Sequence, residues 1–464
     1  MTATLDAFRS SLQRGSGRAM LILRNDPDNP DLLAALFHSC TVNEVFDWQC
    51  EPARAAYLRR LILATGQVDR FRRDLAVHLA GAGAVAEAVE PEAREAAAKD
   101  AGPEDAGPDD PEPENIRPHD FGPTDLGQTF DLLCLLAADE PTFDRRVLWD
   151  FLARTDFDTA NFRCVDALVR LDGLPALLHC VERFHADYAN VPYVLDGLVH
   201  ELRERDGEAS ANEALAAARR TSAALGLLLT LAAGDEWAFV GQTGEPSDYR
   251  TIKAELEAGT RTFFPGGWSR RASPEDVALA AADLLAETDD LRRNPYLHQF
   301  FRVPFPLDPE PLFPLLKSPH KRVRIAARNV FGQMCHPRVR QLALAAIAEG
   351  AAADWFGLHL LQGSAEPGDS ALFDPFIAAA KAAGEVDVVH WAYMSVLKII
   401  ENDRLPLDEG VAWLVRVYEE TPCSTCRRRV VKYLMAVGRV PDWIAMEWPF
   451  DAAVDAVALN EASA

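Results

Sequence analysis

Positive charge is scarce in this chain: 47 lysines and arginines face 71 aspartates and glutamates, a formal net charge of −24 over 464 residues. With an isoelectric point near 4.9, the molecule as a whole is repelled by nucleic acid and by anionic membranes, and only a local basic patch overrides this. Long apolar runs are missing too. No stretch reaches the roughly 18 apolar residues that a membrane span needs, and the opening MTATLDAFRSSLQRGSGR lacks the apolar core of a secretory signal. The expectation is therefore a cytoplasmic protein with no membrane partner. The eight cysteines are too sparse for a disulfide scaffold, and most lie beside leucines and valines, as reduced, buried thiols do. Neither a phosphate-cradling glycine loop nor a G-x-S-x-G elbow occurs, so no cofactor and no catalytic nucleophile is expected.

What is present is helical punctuation. In the stretch 309–349 Leu312, Leu315 and Leu316 form the apolar side of a first short helix, ended by Ser318-Pro319. Ser318 or His320 opens a second, in which Val323, Ala327, Val330 and Met334 recur at helical period; Pro337 ends it or begins a third, with Val339, Leu342, Leu344 and Ile347 apolar. Helices this short cannot bury their stripes alone and stack on similar neighbours. Asp408 to Glu419, Thr421-Pro422 and Cys426 to Val437 repeat this grammar.

On the L-x-x-L-L helix, the proline-containing turn and the series Val323, Arg324, Ala327, Gly332, the stretch resembles a HEAT repeat. The resemblance implies an all-α fold, an alpha-solenoid of antiparallel helix pairs stacked with a right-handed twist, and a non-enzymatic scaffold or adaptor that binds another protein on its concave face. It also leaves open an enzyme on the same scaffold, similar to DNA alkyl-base glycosylases or bilin lyases. The overall charge argues against the former, since a duplex binder relies on phosphate contacts.

The expected organisation is N-terminal helical repeats over 1–84, an acidic disordered linker over 85–118, and a HEAT-like solenoid over 119–464. The segment 87–114 carries eleven acidic residues against Arg94 and Lys99, with many prolines and few large apolar groups, so it cannot repay the entropy of ordering. An irregular loop is expected over 239–272, before a sharp helix start at Ser273-Pro274-Glu275-Asp276. The aromatic element from Pro441 to Phe450 suits an end cap over the last repeat, followed by a weakly ordered tail.

Two features point to a partner. Between Leu312 and Ala348 lie Lys317, Lys321, Arg322, Arg324, Arg328, Arg338 and Arg340 with no acid among them. Such a patch concentrates potential for a carboxylate-rich or phosphate-bearing partner, the acidic linker itself being one competitor. Lys321, Arg324 and Arg328, with Arg428 and Lys432 of the later arginine-rich helix, are the expected polar contacts. Phe263, Phe264 and Trp268 are equally an exposed anchor or a loop packed onto the fold. The pair Cys423 and Cys426 has no second ligand pair in sequence and reads as two ordinary thiols in a turn. The single His200-Glu201 dipeptide cannot complete a metal shell, so no metal is expected.

Overall fold

The computed structural model describes residues 2–46, 54–86, 125–155, 157–190, 193–232, 248–259, 261–265, 267–350 and 356–454. All but the first two residues of the acidic linker expected over 85–118, part of the loop expected over 239–272 and most of the expected weakly ordered tail lie outside them. All regular structure among the described residues is helical, with no strand. The chain divides into two compact units, one of Met1–Ala238, Pro422–Arg428 and Pro441–Ala464, the other of Phe239–Thr421 and Arg429–Val440.

In the first unit the helices are Thr2–Arg14, Arg18–Asn25, Pro30–Thr41, Ala55–Thr65, Val68–Ala86, Asp125–Ala138, Arg146–Arg154, Phe157–Asp172, Leu174–Asn190, Tyr193–Asp206, Glu208–Ala218 and Ala223–Ala232, joined by Asp442–Glu447 near the C-terminus. Local chemistry sets their ends. Asn29 caps Pro30–Thr41, its side chain accepting from the backbone N–H groups of Asp31 and Leu32, with Pro30 in the first turn where a missing N–H costs nothing. One core runs through this unit from Phe8 and Leu36 to Phe130, Leu168 and Leu225.

The N-terminal helices were expected to stand apart from the helices beyond the acidic segment. Instead, helices on both sides of that segment share this core. The Gln128 side-chain amide donates to the carbonyls of Ser39 and Val42, both at 2.8 Å, and the Thr129 hydroxyl donates to the Cys40 carbonyl at 3.1 Å. Buried carbonyls freed at the end of Pro30–Thr41 find their donors on Asp125–Ala138, which locks the two segments together.

The aromatic C-terminal element also departs from the end-cap expectation, because it packs on the first two helices. Arg18 bonds Glu447 at 2.5 Å and lies over the Trp443 ring, Arg24 lies over Phe450, and Ala452 N donates to the Gly15 carbonyl at 2.8 Å. Gly17 makes this approach feasible: a Cβ there would sit 1.8 Å from the backbone oxygen of Glu447. At the centre Arg427 and Asp451 are both fully buried, Nε donating to Oδ2 at 2.8 Å, while the same guanidinium donates to the Arg14 carbonyl at 2.5 Å.

The second unit holds Tyr249–Glu257, Trp268–Arg271, Pro274–Ala286, Asp290–Gln299, Lys321–Gly332, Pro337–Glu349, Gly357–Leu361, Phe373–Ala382, Val386–Glu401 and Leu407–Glu420, with a 3₁₀ turn at Glu310–Lys317. The helix start at Ser273 is as expected, its hydroxyl accepting from Asp276 N at 3.1 Å. In the stretch 309–349 the first helix is 3₁₀ rather than α, and Pro314 inside it withholds an N–H group that an α-helix would use. Val323, Ala327 and Val330 are buried as their period requires. In the third helix the buried face is Val339, Ala343 and Ala346, and Leu342 is exposed. Small residues win that face because Gly357–Leu361 packs against its backbone: a Cβ on Gly357 would lie 3.0 Å from Ile347 N.

Gly332, which closes the V-R-x-x-A-x-x-x-x-G series, is a packing glycine of the same kind, since its Cβ would fall 2.8 Å from His359 Nε2. His359 is held neutral, its pKa depressed to about 4 by burial and then by Arg328. Its Nδ1 meets the Gln362 amide at 3.1 Å.

Two outcomes are expected. Asp451→Ala leaves Arg427 charged and buried without its carboxylate and should cost about 3–5 kcal/mol of stability, read by urea denaturation, whereas replacing both members by apolar residues of similar volume recovers much of it. Because the unfolded chain binds a proton on His359 that the folded chain refuses, stability is full above the unfolded value of 6.5 and falls as pH drops from there towards 4. In His359→Leu the thermal midpoint should fall less steeply over that interval.

Candidate functional site

The loop expected over 239–272 is, where described, partly helical, with Tyr249–Glu257 and the short Trp268–Arg271 inside it. Three aromatics in six residues decide how it is held. Phe264 and Trp268 are 7% and 1% exposed, while Phe263 is 49% exposed. The Phe264 ring lies 5.0 Å from Trp268 and 5.4 Å, edge-on, from Tyr296, and Tyr249 stands 5.7 Å from Trp268. These offset geometries add to the area buried by the rings.

A polar tie sits beside the cluster. The Tyr249 hydroxyl and, at 2.8 Å, the Lys253 ammonium both donate to the Asp283 carboxylate. Burial, and next the hydrogen bond to Asp283, push the Tyr249 phenol far above its ordinary pKa, so it remains a donor. Gly267, at φ 66°, supplies the left-handed turn into Trp268–Arg271. Phe264 and Trp268 therefore act as fixings of the segment, and of the three aromatics singled out only Phe263 is offered outward.

Phe263 stands at the edge of a cleft of about 270 Å³, whose other principal residues are Arg270, His298, Phe301 and Arg302. Asp290–Gln299 delivers His298 in its last turn, and the chain beyond supplies Phe301 and Arg302. The His298 ring meets Phe263 edge-on at 5.9 Å and Phe301 at 4.5 Å. Desolvation by its surroundings lowers the His298 pKa. Among the described residues no carboxylate lines the cleft, and neither the Arg270 nor the Arg302 guanidinium has a hydrogen-bonding or ionic partner there. Chemically the arrangement offers two forked cationic donors beside a row of three rings.

The basic run at 317–340 does not present itself as one surface. Arg324 donates to the carbonyls of Ser318 and Pro319 at 2.7 and 2.8 Å and so ties the turn before its own helix. Arg328 lies over the Phe356 ring. Arg338 bonds Glu310 and covers Phe313, and Arg340 grips Asp369 through both terminal nitrogens. Lys321 stays exposed, as do Arg428 and Lys432 on the helix Ser424–Ala436.

Arg427, which sequence grouped with Arg428 and Arg429, is instead the buried partner of Asp451, and nothing local in the sequence separates the three. The members of the cleft that sequence reasoning missed had left a signal, the basic and aromatic run His298-Gln299-Phe300-Phe301-Arg302.

The other chemistry-bearing groups have structural settings. Cys40, Cys134, Cys164 and Cys180 are buried free thiols, and burial raises the pKa of each, Cys180 to about 12, which makes them poor nucleophiles. Cys423 and Cys426 are likewise buried, whereas Cys335 is exposed. Glu201 of the His200-Glu201 pair accepts from Arg170 at 2.9 Å. Comparison with protein families, with curated proteins and with solved structures finds no match to this chain.

The two neighbouring phenylalanines should separate in denaturation experiments. Phe264→Ala should cost about 3–5 kcal/mol as a core truncation, and Phe263→Ser should stay within about 0.5 kcal/mol of wild type, as surface substitutions do.

Proposed function

We propose that this protein is a non-enzymatic interaction scaffold or adaptor of HEAT-like type, acting in the cytoplasm and binding another protein. The observation that carries the reading is the cleft of the second unit, where an exposed Phe263 and two unpartnered arginines stand in a chain of net charge −24. Aromatic and arginine side chains are the residue types that dominate protein interfaces.

The solenoid part of the reading draws support from how elements near one another in sequence pack. Glu310–Lys317 lies on Lys321–Gly332, that helix on Gly357–Leu361, and that in turn on Val386–Glu401 and then Leu407–Glu420. Near-neighbour packing of this kind is what a repeat stack requires. No helix among the described residues is long and apolar enough to cross a membrane.

A pull-down from native lysate, with the full chain as bait, tests the reading. Wild type should retain a protein in near-stoichiometric amount, and Phe263→Ser/Arg270→Glu/Arg302→Glu should lose it while keeping the wild-type circular dichroism and melting temperature. Lys321→Glu should retain it. Absence of any retained protein above bead controls, at low and at high salt, would sink the scaffold reading.

A further inference from the structure

Resting on the scaffold reading, we propose that the cleft between Phe263 and Phe301 takes a short acidic peptide segment of the partner, one large apolar side chain flanked by carboxylates, and that His298 makes this recognition stronger in mildly acidic conditions.

Size gives the first constraint. At about 270 Å³ the cleft lies just under the roughly 300–1,000 Å³ typical of small-molecule sites, and suits one large side chain better than a whole cofactor. Its rings, Phe263, His298 and Phe301, stand in sequence at 5.9 and 4.5 Å centroid separations and offer an aromatic or aliphatic group both faces and edges.

Charge gives the second. Arg270 comes from the short helix Trp268–Arg271 and Arg302 from the chain beyond Asp290–Gln299, so carboxylates on either side of an anchoring side chain have a fork to meet. Phosphate oxygens also suit arginine, and a single-stranded nucleic acid would stack on these rings. The net charge of −24 tells against it, because repulsion accumulates along a polyanion, whereas a peptide with a few carboxylates engages only the local positive field.

His298 adds a pH response. The charged groups lining the cleft around it are Arg270 from one element and Arg302 from the other, both cations, and the flanking phenylalanine rings desolvate it. Burial favours the neutral imidazole in the free protein. A peptide carboxylate brought beside the ring favours the imidazolium, so binding takes up a proton and tightens as pH falls, until the peptide's own carboxylates protonate near their ordinary value of about 4.3.

The test is fluorescence anisotropy of the full chain with a labelled pentapeptide, a phenylalanine with two glutamates on each side. Controls carry glutamines for the glutamates or alanine for the phenylalanine, and a labelled oligothymidine represents nucleic acid. Wild type should bind the glutamate peptide saturably. Arg270→Gln/Arg302→Gln, both at exposed positions, should weaken it by at least about tenfold, the loss of two charge-assisted contacts. From pH 7.5 to 5.5 the wild-type affinity should rise by about threefold or more, and His298→Gln should flatten that rise with little change at pH 7.5.

Equal binding of the glutamate and glutamine peptides, an unaltered affinity in the double arginine variant, or preference for oligothymidine overturns the proposal. The two readings fail separately. A lysate partner retained by Arg270→Gln/Arg302→Gln as well as by wild type leaves the scaffold and removes the cleft. Saturable, arginine-dependent peptide binding with no lysate partner keeps the cleft and removes the scaffold.

Discussion

The first unit depends on one buried charge pair. Arg427 and Asp451 are both fully out of solvent, and removing two ions from water costs several kcal/mol each before their mutual attraction returns any of it. The geometry offsets part of that cost: Nε donates to Asp451 Oδ2 at 2.8 Å, Nη2 to Asp451 Oδ1 at 3.4 Å and to the Arg14 carbonyl at a helix end, and Nη1 reaches the Pro422 carbonyl at 3.5 Å. The Asp451 backbone carbonyl in turn accepts from Arg60 at 2.9 Å, and the Ser16 carbonyl accepts from the buried Tyr57 hydroxyl at 2.9 Å. Such a pair tolerates only one arrangement of its neighbours, which is how residues more than 400 positions apart in sequence come to specify one packing.

The second unit uses the opposite device. Its helices approach through small residues, with Gly332 against His359 and Gly357 against Ile347, and its cations are neutralised one by one at short range. Arg340 with Asp369, Arg429 with Glu401 at 2.8 Å, and Arg416 with Asp374 and Glu420 are the main cases. Partly exposed pairs of this sort add little stability individually. Their effect on function is larger, because each one removes an arginine from the surface that a partner could read. Arg270 and Arg302 are not so consumed, and they stand beside exposed aromatic surface.

Much of the local structure was legible in the sequence. Ser273-Pro274 announces a helix start through capping and proline rules that need no tertiary information. The all-helical class and the apolar face of Lys321–Gly332 follow from periodicity. The candidate site was legible by half: Phe263, Phe264 and Trp268 stood out as aromatic, yet which of them was anchor and which was core depended on Tyr249, Tyr296 and Asp283, distant in sequence.

The sequence by itself determined where helices start, which stripes are apolar, and that the chain as a whole is strongly acidic. Those properties arise from neighbours within a few residues and from summed charge. Only the tertiary structure decided that Arg427 is core while Arg428 is surface, that Arg324 ties a turn, and that the C-terminal aromatics rest on the first two helices. An arginine looks the same in sequence whether it faces water or a carboxylate. The difference lies in which desolvated partner the fold brings to it, and that partner comes from far along the chain.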